Sequence, residues 1–414
     1  MPDTSARGLW RHADFLKLWA AQAVSSFGSR ITREGLPLVA ILTLQASPAQ
    51  LGILAALARG PGLVVGVFAG GWVDSARRRP ILIGADLFRC LLLMTVPLAA
   101  WSHWLTMPQV YGVAALVGAA SVLFDIADHA YLPSLIGKPD LLEGNAKLAV
   151  TESTAEIGGP ALAGVLFQVF TSPIAILADA VTYLVSALSL GAIRAPEPPP
   201  APRERNKHWL ADLKFGFDAV MAQPLVRPML IMTVVQTFFG SFFAGLYMLF
   251  AIKTLGLSTS LMGVTIAVGG VGALSGALLA RMSVARLGPG PAIIVTGLIS
   301  AVSALLIPMA PANLVWGTVV LMIGQWFGDA FGVAAMVPAG TLRQTVFSTE
   351  MLGRTGAVFH VATGAMAVVG ALVGGAAAEV IGIRPTMWIG ALGIIAGQLI
   401  LLFSPLRALK AMPD

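Results

Sequence analysis

Residues 49–79 read AQLGILAALARGPGLVVGVFAGGWVDSARRR. From Ala49 to Val73 a single ionisable side chain, Arg59, interrupts an apolar run that ends at Asp74 and at three consecutive arginines, Arg77, Arg78 and Arg79. A hydrocarbon core of about 30 Å takes about 20 apolar residues in a helix, and basic residues gather at the cytoplasmic ends of such helices. The stretch therefore reads as a transmembrane helix that ends on the inside of the membrane.

Apolar runs of this length recur on both sides of it. Spans are expected near 15–44, 80–101, 107–133, 145–170 and 173–193, then near 229–254, 260–280, 291–310, 313–340, 354–380 and 385–404. Composition agrees: 57% of the 414 residues are hydrophobic and 11% are charged, with a mean hydropathy of +0.83, whereas soluble domains carry about 25% charged residues. The expected fold class is an all-α membrane protein with about twelve transmembrane helices in two pseudo-symmetric six-helix bundles. Residues 1–194 would form the first bundle, and 229–414 the second with a short cytoplasmic tail. Between them, 195–228 opens with Pro196, Pro198, Pro199, Pro200 and Pro202, the composition of a stiff extended linker. Its segment Trp209 to Met221 sets Leu210, Leu213, Phe217 and Val220 at helical spacing, as in a short helix on the cytoplasmic surface.

If the N-terminus is cytoplasmic, the inside loops and tail hold Arg77, Arg78, Arg79, Lys138, Arg203, Arg205, Lys207, Lys214, Arg286, Arg343, Arg407 and Lys410, while only Lys253 and Arg384 fall near the outside. This asymmetry places both termini in the cytoplasm. The net charge of +6 thus belongs to membrane orientation. No basic helix or aromatic-interleaved patch is present, so no nucleic-acid partner is expected. The polar start, Met1 to His12, leads straight into the first apolar run without a small-residue cleavage site, so no removable signal peptide is expected. Cys90 is the only cysteine, which leaves no disulfide framework and no cysteine-based metal site. HExxH, GxSxG, P-loop and paired-cysteine patterns are missing, so neither an enzyme, a cofactor, a metal nor ATP-driven transport is expected.

The halves resemble each other weakly. Asp140-Leu141-Leu142 and Glu350-Met351-Leu352 stand 210 residues apart in equivalent inside loops, each followed by a glycine-rich run. Repeated bundles with the substrate site between them are a common transporter plan.

Gly70-Gly71-Trp72-Val73-Asp74-Ser75-Ala76-Arg77-Arg78-Arg79-Pro80-Ile81-Leu82 resembles the loop signature GxLaDrxGRk of the major facilitator superfamily. Gly70, Asp74, Arg78, Arg79 and Leu82 match it, while Trp72, Ser75 and Arg77 depart from it. Phe124-Asp125-Ile126-Ala127, Tyr131-Leu132-Pro133-Ser134-Leu135, Gly159 to Gly164, Asp179-Ala180, Leu342-Arg343-Gln344 and Leu352-Gly353-Arg354 are similar to the branch holding bacterial enterobactin exporters and macrolide-efflux pumps. The resemblance implies a multi-pass protein of the bacterial cell (inner) membrane. It implies a monomer that exports small amphipathic molecules, drug or siderophore, against inward proton flow by alternating access, with membrane lipids as its surroundings. A proton-independent facilitator of lipids or metabolites is the rival reading. The resemblance also assigns Gly70, Asp74, Arg78, Arg79 and Arg354 to gating. Gly159 and Pro160 resemble part of the antiporter motif, although Ala155 and Ala163 stand where the family has glycine, and close helix packing explains the pair as well.

Ionisable groups inside a membrane cost at least about 2.5 kcal/mol each and call for a partner or a wet cavity. In the first span Gln22, Ser26, Arg30, Arg33 and Glu34 share one stripe. Arg30 and Glu34, four apart, can pair, either as a structural bridge or as cavity lining. Arg59 is a weaker cavity candidate. Two cations against one carboxylate would make the stripe positive and favour acidic or catecholate-like substrates. In the fifth span Glu152 and Glu156 share a face, and two such carboxylates make a reversible proton carrier. Asp128, beside Asp125 and His129, and Asp329 of the tenth span are further proton-coupling candidates, and Gln325 is a substrate-contact candidate. Phe238, Phe239, Phe242, Phe243 and Tyr247 are either core or an apolar substrate wall.

Overall fold

A computed structural model describes residues 8–170, 172–197 and 209–413, with the side chains of Val67, Gly70, Gly71 and Asp74 left out. Pro198, Pro199, Pro200, Pro202, Arg203, Arg205 and Lys207 of the linker, and Asp74 and Gly70 of the loop signature, thus lie outside the residues described in full. Among the described residues all regular structure is helical. The first half runs α1 (Ala13–Leu42), α2 (Pro48–Asp74), α3 (Arg78–Trp101), α4 (Met107–Ile136), α5 (Leu141–Val169) and α6 (Ser172–Gly191). After α7 (Trp209–Ala222), the second half runs α8 (Arg227–Thr254), α9 (Thr259–Leu287), α10 (Pro289–Met309), α11 (Leu314–Val346), α12 (Thr349–Ile381) and α13 (Ile383–Phe403).

Ten of the described helices are long and apolar enough to cross a membrane by composition alone. The two other long helices, α1 and α5, are the ones that carry Arg30, Arg33, Glu34, Glu152 and Glu156. Charge, not length, removes them from that set, and they pack against each other.

The chain forms two units, Met1–Ala46 with Leu57–Asn206, and Ser47–Ala56 with Lys207–Asp414. In the first, α1 packs on α5 and α6, and α3 on α4 and α6. In the second, α8 packs on α12 and α13, and α10 on α11 and α13. The contact scheme is therefore the same in both, with α8, α10, α11, α12 and α13 standing for α1, α3, α4, α5 and α6. The matching acids fall accordingly: Asp140 sits at the start of α5 and Glu350 in the first turn of α12.

Phe15, Leu18, Val73, Leu82 and Tyr131 form part of the core of the first unit. Many other large apolar side chains are exposed, among them Phe68, Leu91, Leu98 and Trp101. In water such a surface would aggregate; facing lipid it carries no penalty. The aromatic cluster of α8 belongs to packing. Phe238, Phe239 and Phe242 pack edge-on or tilted against one another with ring centroids 5.0, 5.4 and 5.5 Å apart, Phe242 is buried, and the Tyr247 hydroxyl donates to Thr265 Oγ1 at 3.3 Å.

Charged side chains fasten the helix ends of the first unit. The Asp14 carboxylate accepts from Lys17 Nζ (2.7 Å) and from the backbone N–H groups of Arg194 (3.1 Å) and Ala195 (2.8 Å). Burial acts to raise its pKa, but these donors outweigh burial and hold the carboxyl below the usual carboxylate range. Glu197 accepts from the N–H groups of Arg78 (2.5 Å) and Arg79 (3.2 Å), placing a negative charge at the positive end of α3. The Arg79 side chain in turn donates to the carbonyls of Leu190 (2.9 Å) and Gly191 (2.5 Å) at the end of α6.

Candidate functional site

The stripe on α1 faces a cavity of about 750 Å³ inside the first unit. Gln22, Ser26, Arg30 and Arg33 line it from α1, Asp125, Asp128 and His129 from α4, and Thr151 and Glu152 from α5. Arg30, Arg33 and Glu152 of this wall belong to an ionic cluster that joins α1 to α5. Arg30 Nη2 donates to Glu152 Oε1 and lies 2.5 Å from Glu156 Oε2, so one guanidinium holds both carboxylates. Ser26 Oγ donates to the second Glu152 oxygen at 2.9 Å. Arg33 lies 3.3 Å from both Glu156 Oε1 and Glu34 Oε1. Further along, Gln22 donates to Asp128 Oδ1 and Trp19 Nε1 to Thr151 Oγ1 at 2.9 Å.

This arrangement corrects the expected pairing of Arg30 with Glu34. Glu34 is buried and takes Arg33, while Arg30 crosses to α5. Gly159 explains the crossing, because a Cβ there would sit 2.6 Å from both Cβ and Cγ of Arg30. Without a side chain at Gly159, α5 lies flush against the stem of Arg30. The guanidinium then lands beside Glu156 and Glu152, three and seven residues back on the same helical face. The neighbouring Pro160 is buried in the same contact region. Arg30 and Arg33 are met by Glu34, Glu152 and Glu156 rather than by Glu34 alone, and Arg59 of α2 lies within electrostatic reach of Arg33.

Other expected residues lie elsewhere. Arg59, on α2, is not part of this cavity wall but lies within electrostatic reach of Arg33. Gln325 and Asp329 sit one turn apart on α11 in the second unit, with Gln325 Nε2 donating to Asp329 Oδ2 at 3.3 Å. Arg354, on α12, pairs with Asp212 of α7 at 3.0 Å and lies over the Phe215 ring.

The family model of the Major Facilitator Superfamily matches residues 18–371. The chain belongs to the major facilitator superfamily. It is 24% identical over 396 residues to the uncharacterized MFS-type transporter YfiS of Bacillus subtilis (strain 168), covering 94% of this chain and 92% of that one. It is also 24% identical over 210 residues to macrolide efflux protein A of Streptococcus pyogenes, covering 50% of this chain and 51% of that protein. Among solved structures, the nucleoside transporter NupG superposes with a TM-score of 0.73 at 13% identity, covering 94% of this chain and 98% of that one. A bacterial homologue of the iron transporter ferroportin gives 0.72 at 14% identity, with the same coverage. At these identities the structural likeness establishes the fold. The chain is thus a helical membrane transporter of the major facilitator type.

This major facilitator protein also holds a polar cluster that the sequence reading passed over. Asp86 and Arg89 on α3 form a buried ion pair. Ser186 of α6 donates to Asp86 Oδ2 at 2.6 Å, Arg89 reaches Ser121 Oγ at 3.2 Å, and its guanidinium lies 4.1 Å from the Tyr183 ring and 4.5 Å from that of Phe124. Asp179, singled out only through the resemblance, is fully buried on α6. The signal was available: an acid and a base three residues apart in the middle of an apolar span obey the same cost argument that exposed Arg30.

Proposed function

We propose that the chain is a proton-coupled exporter of small amphipathic molecules in the bacterial cell membrane, acting as a monomer with both termini in the cytoplasm. The observation that carries this reading is the single guanidinium of Arg30 held by both Glu152 and Glu156, with Arg30 and Glu152 on the wall of the cavity. With both acids ionised the Arg30 guanidinium is shared between two carboxylates, so either a proton or a cationic or hydrogen-bonding substrate can take over one of them. Two such ligands competing for one pair of acids exclude each other, and mutually exclusive binding is the requirement of exchange. A volume of about 750 Å³ suits a small organic molecule. The likeness to macrolide efflux protein A supports the outward direction.

The test uses purified protein in sealed vesicles, with a radiolabelled macrolide as probe, with and without an imposed pH gradient. Wild-type protein accumulates the probe only with the gradient. The double change Glu152→Gln and Glu156→Gln abolishes accumulation while exchange of labelled for unlabelled probe persists. Full pH-driven accumulation by the double variant would move the coupling role to Asp128 or Asp329, and flux indifferent to pH in wild type would favour the facilitator.

A further inference from the structure

Among the described residues four buried side-chain polar atoms have no hydrogen-bond partner: Thr32 Oγ1, Arg78 Nε, Arg89 Nε and Asp179 Oδ2. Three of the four belong to one place, where α1, α3 and α6 meet around Asp179. Orphaned buried polar atoms are rare and call for a cause.

The charges at this place do not balance as drawn. Asp86 already neutralises Arg89, and its carboxylate also accepts from Ser186. Asp179 is fully buried, and Thr182 Oγ1 donates to its Oδ1 at 2.8 Å. Its Oδ2 and the Thr32 hydroxyl stand side by side, each without another partner, so that the one hydrogen bond open to either is the one between them. A carboxylate there would be a second buried negative charge against the single guanidinium of Arg89, which Asp86 already holds. A carboxylic acid removes that charge, and its one O–H can be donated to Thr32 Oγ1.

The surroundings are built for an acid in this position. Gly28, one turn before Thr32 on α1, leaves the room: a Cβ there would lie 2.2 Å from Asp179 Oδ1 and 1.9 Å from Thr182 Oγ1. The ionisable groups near Asp179 are Asp86, Arg89 and Cys90 from α3 and Tyr183 from α6 itself. From α1 come the hydroxyls of Thr32 and of Ser29, the latter paired with the Tyr183 hydroxyl at 3.0 Å. The more lightly packed α5 presents Phe167 to Gly35 and Ile176. Arg89 belongs both to this cluster and to the cavity wall.

We propose that Asp179 holds a proton on Oδ2, donated to Thr32 Oγ1, and that with the Asp86–Arg89 pair it forms a second proton site of the first unit, separate from the Arg30, Glu152 and Glu156 cluster. This deepens the proton-coupling reading and rests on it for its role in transport, but not for the proton itself. Gain of the proton leaves the cluster neutral. Loss leaves two carboxylates competing for one guanidinium, which draws Arg89 between α3 and α6 at the edge of the cavity.

Infrared difference spectroscopy on the purified full chain in lipid vesicles reads the proton without any substrate. Wild-type protein shows the C=O band of a protonated carboxylic acid at neutral pH, displaced in D2O. Asp179→Asn removes that band. Thr32→Val, isosteric and therefore safe for folding, keeps it but shifts it to higher frequency, because the acid loses its acceptor. Asp86→Asn leaves the guanidinium to Asp179, so the band vanishes at lower pH than in wild type. The double change Glu152→Gln and Glu156→Gln leaves the band in place even though it ends pH-driven transport. A wild-type spectrum without the band, a band indifferent to both Asp179→Asn and Thr32→Val, or an unchanged titration in Asp86→Asn overturns the proposal. A positive spectrum combined with pH-indifferent flux overturns the export reading instead and leaves the proton site standing.

Discussion

Arg30 and Arg89 both hold carboxylates across or along the helices of the first unit, but burial gives their bonds different worth. The Arg30 side chain is 12% exposed while its partners Glu152 and Glu156 keep 54% and 47% of their exposure, so water shares the charge and screens it. Removing it with Arg30→Gln costs about 1–2 kcal/mol by that reasoning, short of the roughly 3–5 kcal/mol that follows breaking a fully buried pair. Arg89 and Asp86 are 3% and 0% exposed, and Arg89→Gln leaves Asp86 without its counter-charge, so the full buried-pair loss of roughly 3–5 kcal/mol is expected. Thermal unfolding of the two variants in the same detergent separates them: Arg89→Gln lowers the midpoint more than Arg30→Gln. Equal midpoints would mean that water reaches the Asp86 site. The sequence carried the identity of the first cluster, because charges inside an apolar span are visible by their cost. Their partners were not legible. Arg30 chooses Glu152 and Glu156 over Glu34 because Gly159 lets another helix approach, and that approach is a property of tertiary packing.

Helix α7 shows the same division at the level of an element. Leu210, Leu213, Phe217 and Val220 at helical spacing marked a helix, and one runs over Trp209–Ala222. Which face it buries could not be read from spacing, since Val220 is buried whereas Leu210 and Phe217 are exposed, as suits a helix that lies at a lipid headgroup layer. Docking on α12 rests on close approach, with a Cβ at Gly216 falling 2.6 Å from the carbonyl oxygen of Arg354. The visible ion pair between Arg354 and Asp212, 44% and 45% exposed, is a weak anchor worth about 0–1 kcal/mol. Gly216→Val is expected to lift α7 from α12 and speed tryptic cleavage after Lys214, while Asp212→Asn leaves the cleavage rate near that of wild type. The opposite ranking would make the ion pair the anchor.

Across the whole molecule, the six-plus-six plan was legible because lipid imposes it: each apolar run must satisfy its own backbone as a helix, and its length follows from bilayer thickness. The repeat of packing partners between α1–α6 and α8–α13 was only hinted at by Asp140 and Glu350, because helices packed against lipid need matching shapes more than matching residues. Orientation follows from a different physics, the confinement of arginine and lysine to alternate loops. Arg77, Arg78 and Arg79 between α2 and α3, and Arg407 and Lys410 in the tail, are the residues on which the proposed orientation rests, with the α2–α3 loop and the C-terminus inside and the loop after Trp101 outside. One buried cysteine, Cys90, makes this directly measurable, since Cys90→Ser gives a background without thiols. In that background Ser75→Cys and Arg407→Cys are expected to react with a membrane-impermeant maleimide only after the cells are opened. His103→Cys, in the exposed turn that follows α3, reacts in intact cells. Labelling of Ser75→Cys from outside, or protection of His103→Cys in intact cells, would invert the chain in the membrane and reverse the direction assigned to proton and substrate.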